Sequence, residues 1–406
     1  MDIILITIGY PYPKKDVFVE NEIKYISKKF DNVYIIPVLE GIVLPQKKYP
    51  HLHETLPSNV KIFNIKYTYK DLINIDKKLI NLIFKEGKFN LKSLITKLRW
   101  YFHSSIVMKN INELVKNTQI LPSETILYSF WFHFNAMAIS YIKENFALRV
   151  SRAHGYDLYE YRGIQLCKKY MISKLDSVFA CSENGKEYLQ SKYNGNKFKL
   201  SYLGSINKNK IDINDNRAEI FNIVSCSRMV DLKRINKIID SLEHIKDYKI
   251  RWTHIGDGPL YDELNKYSQE KLKNNYNIDV EFLGNLKNKY VLKYYNSNNV
   301  NLFLNVSSSE GLPISIMEAM SFGIPIIATD VGGVSEIVDG KVGYLLDKEF
   351  DNKYLSKKII DIINMNSEEY KKFRENSFNK WSKLFNADKN YNEYFDTLLK
   401  MSMDKS

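Results

Sequence analysis

The 406-residue sequence predicts an α/β protein built from two doubly wound, Rossmann-like domains. Three observations predict it. Short apolar runs recur along the chain, and each leads into a turn and then a stretch of helical spacing. These runs fall into two series on either side of a polar, turn-rich stretch, SINKNKIDINDNR at 205–217. Within each series a strand, loop, helix and strand follow one another, the unit from which open parallel sheets are wound.

Composition narrows the class. At 44% hydrophobic, the chain has enough apolar surface for a substantial core. Cys167, Cys181 and Cys226 lie far apart and fit no metal or redox spacing, so they read as small buried residues of a reduced, cytoplasmic protein. No run reaches the ~18 apolar residues of a membrane span. Ile3 to Ile8 follows Asp2 rather than a basic region, and reads as a first strand rather than a signal peptide. The net charge of +12 is unevenly placed: residues 1–205 carry 30 Lys and Arg against 18 Asp and Glu, whereas 206–406 carry 29 of each. A basic first half favours an anionic partner such as an acidic membrane surface, although solvated lysine faces give the same count. No module with interleaved aromatics argues for nucleic acid.

The first series opens with strand 2–8, the turn Gly9-Tyr10-Pro11-Tyr12-Pro13, a helix from Val17 to Lys29 and a strand from Val33 to Val38. No G-x-G-x-x-G loop is present, so the opening is not a dinucleotide fingerprint. Residues 70–117 read as mostly helical. Their run Lys97-Leu98-Arg99-Trp100-Tyr101-Phe102-His103 mixes basic and aromatic residues either as an interfacial helix does or as a helix with its aromatics in the core. Strand 125–130, helix 135–145 and strand 148–152 follow, and the last ends in Arg152-Ala153-His154-Gly155-Tyr156-Asp157. A further strand, 178–181, leads into a capped helix start at Ser182, and Leu200 to Gly204 reads as the last strand before the hinge.

The second series begins with Phe221 to Cys226. Arg228 and Lys233 bracket the loop behind that strand, where a diphosphate would sit: arginine offers a planar fork and lysine a point charge. Ile250 to Ile255 leads into the turn Gly256-Asp257-Gly258-Pro259, and Val280 to Leu283 into Gly284-Asn285-Leu286. Leu302 to Val306 is a strand, followed by a loop with Glu310, a helix from Ile314 to about Phe322 with Pro313 in its first turn, and a strand from Ile324 to Ala328 before Gly332-Gly333. Glu318 lies eight residues after Glu310, or roughly 12 Å if all of it were helix. Between the two acids, a helix start offers free N–H groups suited to phosphate. One reading is a nucleotide-sugar site, with Glu318 on the ribose hydroxyls, the helix start on the phosphates and Glu310 on the sugar. The other is a helix N-terminal acid and a solvated glutamate.

The block E-G-L-P-x4-E-A-M-x2-G-x-P-I-I-A-T-x-V-G-G-x2-E-I-V, residues 310–338, resembles the donor-site signature of the retaining glycosyltransferases of family 4, the glycosyl transferases group 1 type. The resemblance implies the GT-B fold, two Rossmann-like doubly wound domains facing a cleft. It implies an acceptor domain at 1–204, a linker at 205–217, a donor domain at 218–366, and C-terminal helices at 367–406 that cross back to the first domain. It further implies a metal-independent hexosyltransferase that uses a nucleotide sugar, a UDP-sugar being favoured, with a lipid-linked or surface-polysaccharide acceptor. Such an enzyme works in the cytoplasm or on the inner face of the membrane.

By the same resemblance, Arg228 and Lys233 match the basic pair that neutralises the leaving diphosphate. His154, in a His-Gly-x-Asp element, faces the transferred sugar carbon. Glu310 holds the sugar and Glu318 the ribose, with Gly256 as a further donor contact. Many relatives carry Gly where Pro313 stands, so backbone contacts to the donor fall to Gly311, Leu312 and Ile314. Only Gly9 remains of the paired glycines usual behind the first strand, which directs that loop to the acceptor side. A nucleotide-sugar epimerase shares the architecture and is the rival reading.

Overall fold

The computed structural model describes residues 1–12, 17–38, 56–63, 76–86, 90–160 and 165–405. Pro13, residues 70–75 and residues 87–89, which the sequence places in a turn and a helical stretch, lie outside them. The chain divides into two compact units, Met1–Tyr202 with Asp388–Ser406, and Leu203–Ala387.

In the first unit, seven strands form one parallel sheet in the order β3-β2-β1-β4-β5-β6-β7. They are β1 (Asp2–Thr7), β2 (Val33–Pro37), β3 (Val60–Ile62), β4 (Thr125–Ser129), β5 (Leu148–Ala153), β6 (Ser177–Ala180) and β7 (Phe198–Leu200). Ile3 to Ile6 have no exposed surface, because helices cover both faces of a parallel sheet and every side chain of a central strand is buried. Strand order reverses between β1 and β4, and the crevice beyond their carboxyl ends is the position where such sheets take ligands. The last strand is Phe198–Leu200, so residues 201–204, expected in the sheet, lie beyond it.

The helix Leu91–Asn117 is capped by Asn90, whose side chain accepts from Ser93 N at 2.8 Å. Trp100 and Tyr101 are buried on its core side, with the Trp100 ring 6.4 Å from Phe134 in an edge contact. Trp100 is therefore a core residue and not the membrane contact that its basic-aromatic run allowed.

The C-terminal helices expected from residue 367 onward are two, with a distorted turn between them. Ser367–Lys380 is followed by a π-turn at Trp381–Phe385, and a new helix, Ala387–Lys405, begins after Asn386 extends. Most of that helix belongs to the first unit. Its Tyr394 ring lies 5.5 Å from Tyr128 and 4.9 Å from Phe179, and Asp396 pairs with Lys29 at 2.6 Å.

In the second unit, six parallel strands run β10-β9-β8-β11-β12-β13. They are β8 (Phe221–Cys226), β9 (Ile250–Ile255), β10 (Ile278–Phe282), β11 (Leu302–Asn305), β12 (Ile326–Thr329) and β13 (Gly343–Leu346). Here the order reverses between β8 and β11. The polar stretch 205–217 belongs to this unit and is fastened to it by hydrogen bonds. Asn207 Nδ2 donates to Ser321 O at 2.6 Å, Arg374 Nη1 to Asn214 O at 2.6 Å, and Arg217 Nη1 to Met365 O at 2.9 Å.

Candidate active site

The reversal in the second unit brings the loops behind β8 and β11 side by side. Lys233 ends a short 3-10 turn, Asp231–Lys233, held by Lys233 N donating to Val230 O at 2.8 Å. Its ammonium donates to Glu310 Oε1 at 2.6 Å, across 77 residues of sequence. The same oxygen accepts from Ser307 Oγ at 2.7 Å and Asn305 Nδ2 at 3.2 Å. Three donors on one oxygen fix the carboxylate of a nearly buried glutamate.

The loop is backed from behind. Ser308 N donates to Leu232 O at 2.8 Å, and Arg234 Nε donates to Val306 O at 2.7 Å. Arg234 Nη1 reaches Lys348 O at 2.7 Å, so this arginine joins loops together and is not directed at a ligand. Arg228 is exposed, and its guanidinium makes no hydrogen bond or ion pair among the described residues.

Two glycines allow the close approach of these loops. Gly332 has φ +61°, and a Cβ there would meet Glu310 O at 2.1 Å; beside it Gly333 N donates to Gly311 O at 2.8 Å. Gly256 has φ +152°, and its Cβ would lie 1.8 Å from Ser227 O. The structure thus gives Gly256 a packing role at the carboxyl end of β8.

Pro313 is the residue before the helix Ile314–Met320 rather than its first turn: its ψ is 111°, an extended value. The N–H groups of Gly311 and Leu312 make no hydrogen bond among the described residues. Within that helix, Glu318 accepts from Asn288 Nδ2 at 2.5 Å. Although part of its surface is exposed, desolvation pushes its carboxyl up to about 7, against the opposing pull of Asn288. Burial pushes the Cys226 thiol, at the end of β8, up to about 12; the Glu318 carboxylate adds to this and the Lys233 ammonium opposes it. Lys233, Glu310 and Glu318 are therefore gathered around the β8–β11 reversal. Asn288, Asn305 and Ser307, which hold the two acids, were not expected from sequence. Asn305 and Ser307 frame the strand end, and their polarity after an apolar run was the available signal.

The other predicted residues lie in the first unit. Gly9 is buried in the turn behind β1, its carbonyl accepting from Tyr12 N at 2.9 Å. His154 follows β5. Its backbone N–H donates to Asp157 Oδ1 at 2.6 Å, and Asp157 Oδ2 accepts from Phe132 N at 2.6 Å, so one buried carboxylate joins the loops behind β4 and β5. Lys168 Nζ reinforces the joint by donating to Asp157 O at 2.6 Å and to Phe132 O. The His154 ring lies 4.5 Å from Trp131 and 4.9 Å from Phe130; its Nδ1 is 3.8 Å from Asp157 Oδ2, and among the described residues neither ring nitrogen has a partner at hydrogen-bond distance. Burial disfavours its charge, but the Cys181 sulfur and the Asp157 carboxylate outweigh it and raise its pKa. The neighbouring His133, buried and pushed down to about 3 by desolvation, is neutral and stacks on Phe134 at 4.0 Å.

Beneath β5 lies a feature that no local pattern announced. Arg152 Nη1 donates to Glu22 Oε1 with both side chains almost wholly buried, and Nη2 reaches Ser201 Oγ at 3.0 Å. Tyr128 OH donates to Glu22 Oε2 at 3.1 Å, and the Arg152 guanidinium sits 4.1 Å from the centre of the Tyr394 ring. The network ties the helix Val17–Lys29, β4, β5 and the C-terminal helix together.

Among the described residues, no group of three or more His, Cys, Asp or Glu is arranged to hold a metal ion. No helix there is long and apolar enough to cross a membrane.

Comparison with known proteins places this geometry. Residues 206–380 match the family model described as glycosyl transferases group 1. Over 148 residues the chain is 29% identical to the O-antigen biosynthesis glycosyltransferase WbnH of Escherichia coli, covering 34% of this chain and 40% of that protein. It thus spans about two fifths of the length of such curated relatives. The lipopolysaccharide outer core galactosyltransferase WaaB superposes with a TM-score of 0.67 over 100% of both chains at 16% identity. Anabaena Alr3699/HepE, solved with UDP and glucose, superposes at 0.64 over 98% of this chain and 99% of its own, also at 16% identity. Residues 206–380 accordingly carry the glycosyl transferases group 1 pattern, and the chain as a whole has the GT-B fold of glycosyltransferases.

Proposed function

We propose that this protein is a retaining glycosyltransferase that moves a hexose-type sugar from a nucleotide sugar to a lipid-linked or saccharide acceptor of cell-envelope polysaccharide synthesis. The observation that carries the proposal is the Lys233–Glu310 contact at the strand-order reversal of the second unit, beside the unbonded amides of Gly311 and Leu312. A diphosphate set against those amides competes with Glu310 for the ammonium. Lys233, joined by the exposed Arg228, then stabilises the charge that grows on the leaving group. Released from Lys233, the Glu310 carboxylate keeps Ser307 and Asn305 as donors and holds the sugar hydroxyls. With its carboxylate anchored in this way, Glu310 acts as a positioning group rather than a nucleophile, which favours attack by the acceptor on the face the diphosphate leaves. The first unit takes the acceptor, with Gly9 and His154 at the carboxyl ends of its strands. WbnH and WaaB, by their names, serve O-antigen and lipopolysaccharide synthesis, and HepE was solved with UDP and glucose; these support an envelope acceptor and a UDP-sugar donor.

Thermal shift against a panel of nucleotide sugars tests the reading. One UDP-sugar raises the melting temperature and its relatives do not, since only a ligand of the native state stabilises it. No shift with any nucleotide or nucleotide sugar removes the proposal. Conversion of that donor to its epimer without acceptor establishes the epimerase instead.

Because cations serve the leaving group, transfer persists in EDTA. Complete loss that magnesium restores contradicts this scheme.

Glu318 supplies a pH test. Its carboxyl in the free protein has a pKa of about 7, and charge-assisted acceptance of ribose hydroxyls favours the ionised form. Nucleotide binding then releases a proton, and affinity rises as pH climbs through that value. Between pH 6 and 8 the ionised fraction grows from about a tenth to about nine tenths, so UDP binds up to roughly tenfold more tightly at pH 8. Calorimetry on Glu318→Gln shows that increment gone. An equal pH dependence in wild type and variant separates Glu318 from the nucleotide.

A further inference from the structure

The helix Leu91–Asn117 is apolar on two sides. Ser93, Lys97, Trp100, Ser104, Val107 and Ile111 face the core. Leu91, Leu94, Ile95, Leu98 and Phe102 are exposed, at 74, 37, 44, 39 and 37%. At about 100° per residue these five fall within an arc of roughly 100°, lying opposite the buried residues. Five large apolar side chains on one exposed helical stripe differ from the single exposed apolar residues scattered elsewhere, and a contiguous apolar patch marks an interaction surface.

The charges around the stripe select the partner. From 90 to 112 the helix carries Lys92, Lys97, Arg99 and Lys109 and no acidic residue. Lys92 and Arg99 are exposed beside the stripe, and Lys85 is exposed at the end of the preceding helix, Lys77–Phe84. Glu113, half-buried on the same helix, lies eleven residues beyond Phe102 and accepts from Asn117 Nδ2 at 3.3 Å, and the two acids before the stripe are bonded to the protein. Asp76 caps the preceding helix and accepts from Tyr141 OH at 3.0 Å, and Glu86 accepts from Cys167 N at 2.6 Å. Among the described residues the charges that border the stripe between Leu91 and Phe102 are cations, and such a stripe repels a second copy of itself, since a two-fold contact would set like charges face to face. It complements a surface that is anionic outside and hydrocarbon beneath.

We propose that the Leu91–Phe102 face of this helix docks onto an anionic lipid surface, its five apolar side chains entering the headgroup boundary while Lys92 and Arg99 meet lipid phosphates. The inference stands apart from the transferase reading, because it needs neither donor nor acceptor.

Flotation of the full chain with vesicles tests it. The protein floats with vesicles of phosphatidylcholine and phosphatidylglycerol, less at high salt, and little with phosphatidylcholine alone. Leu94→Ser/Leu98→Ser lowers the partition at least about tenfold with an unchanged melting temperature, as solvent-exposed positions allow. Lys92→Glu/Arg99→Glu, which leaves the stripe intact, lowers it comparably, whereas Tyr276→Ser, exposed in the second unit, does not. The proposal is overturned if the wild type fails to float or if L94S/L98S floats as well as wild type. It is also overturned if the chain sediments as a dimer that L94S/L98S reduces to one chain, since the stripe is then a self-contact.

Discussion

Lys233→Met is expected to lower kcat/KM for sugar transfer by about a thousandfold while the protein stays folded. The magnitude follows from the role: removing one preorganised donor to a developing oxyanion costs about 10²–10³, and here a full positive charge is lost. A thousandfold corresponds to about 4 kcal/mol of transition-state stabilisation. The fold survives because the Lys233 side chain is partly exposed and Glu310 retains Ser307 Oγ and Asn305 Nδ2 as donors. Steady-state kinetics with the identified donor, alongside a melting curve, give both readouts. Lys233→Arg keeps the charge but not its placement in a contact of 2.6 Å, and is expected to recover only part of the rate. A Lys233→Met enzyme within tenfold of wild type would falsify the assignment of this ammonium to the leaving group.

Arg152→Leu carries the largest expected effect on stability, about 3–5 kcal/mol. The substitution strands Glu22, almost wholly buried, without the arginine's charge, and among the described residues leaves Tyr128 OH as the one donor to its carboxylate. Burial already pushes the Glu22 carboxyl up, with Arg152 acting against it, so loss of Arg152 drives Glu22 to take up a proton. For a unit of this size the loss corresponds to a melting temperature lower by roughly 6–20 °C. Because the cost is that of an unpaired buried charge and not of the pair's own attraction, Glu22→Leu/Arg152→Leu regains at least half of it. Denaturant unfolding of the two variants separates the explanations. A single variant within 1 kcal/mol of wild type means that the pair contributes little, and a double variant no better than the single assigns the loss to packing of the guanidinium against Tyr394.

Much of the architecture was legible because the signals are local. β9 is Ile250–Ile255, the bounds expected from the sequence, and β8 is Phe221–Cys226, likewise as expected. Glycines at Gly256 and Gly332 mark strand-end loops that allow no Cβ, and the structure supplies the carbonyls they approach. Tertiary context decided what the local patterns left open. Trp100 sits in a run that reads either way, and only the position of Phe134 and the sheet decides that it points inward. The sequence places helices after residue 367 without marking their junction, which the structure puts at Trp381–Phe385, where Trp381 Nε1 donates to Ser205 Oγ at 2.9 Å.

By itself the sequence determined two series of strands and helices, the loops at their carboxyl ends, and the chemical character of Lys233, Glu310, Glu318 and His154. Each of these depends on neighbours within about ten residues. Only the tertiary structure decided that Lys233 and Glu310 touch, because that requires β8 and β11 to be adjacent in the sheet. It alone also paired Glu22 with Arg152 and turned Leu94 and Leu98 toward solvent. Strand order and the choice of helix face are set by burial summed over the whole chain, and no local window contains that sum.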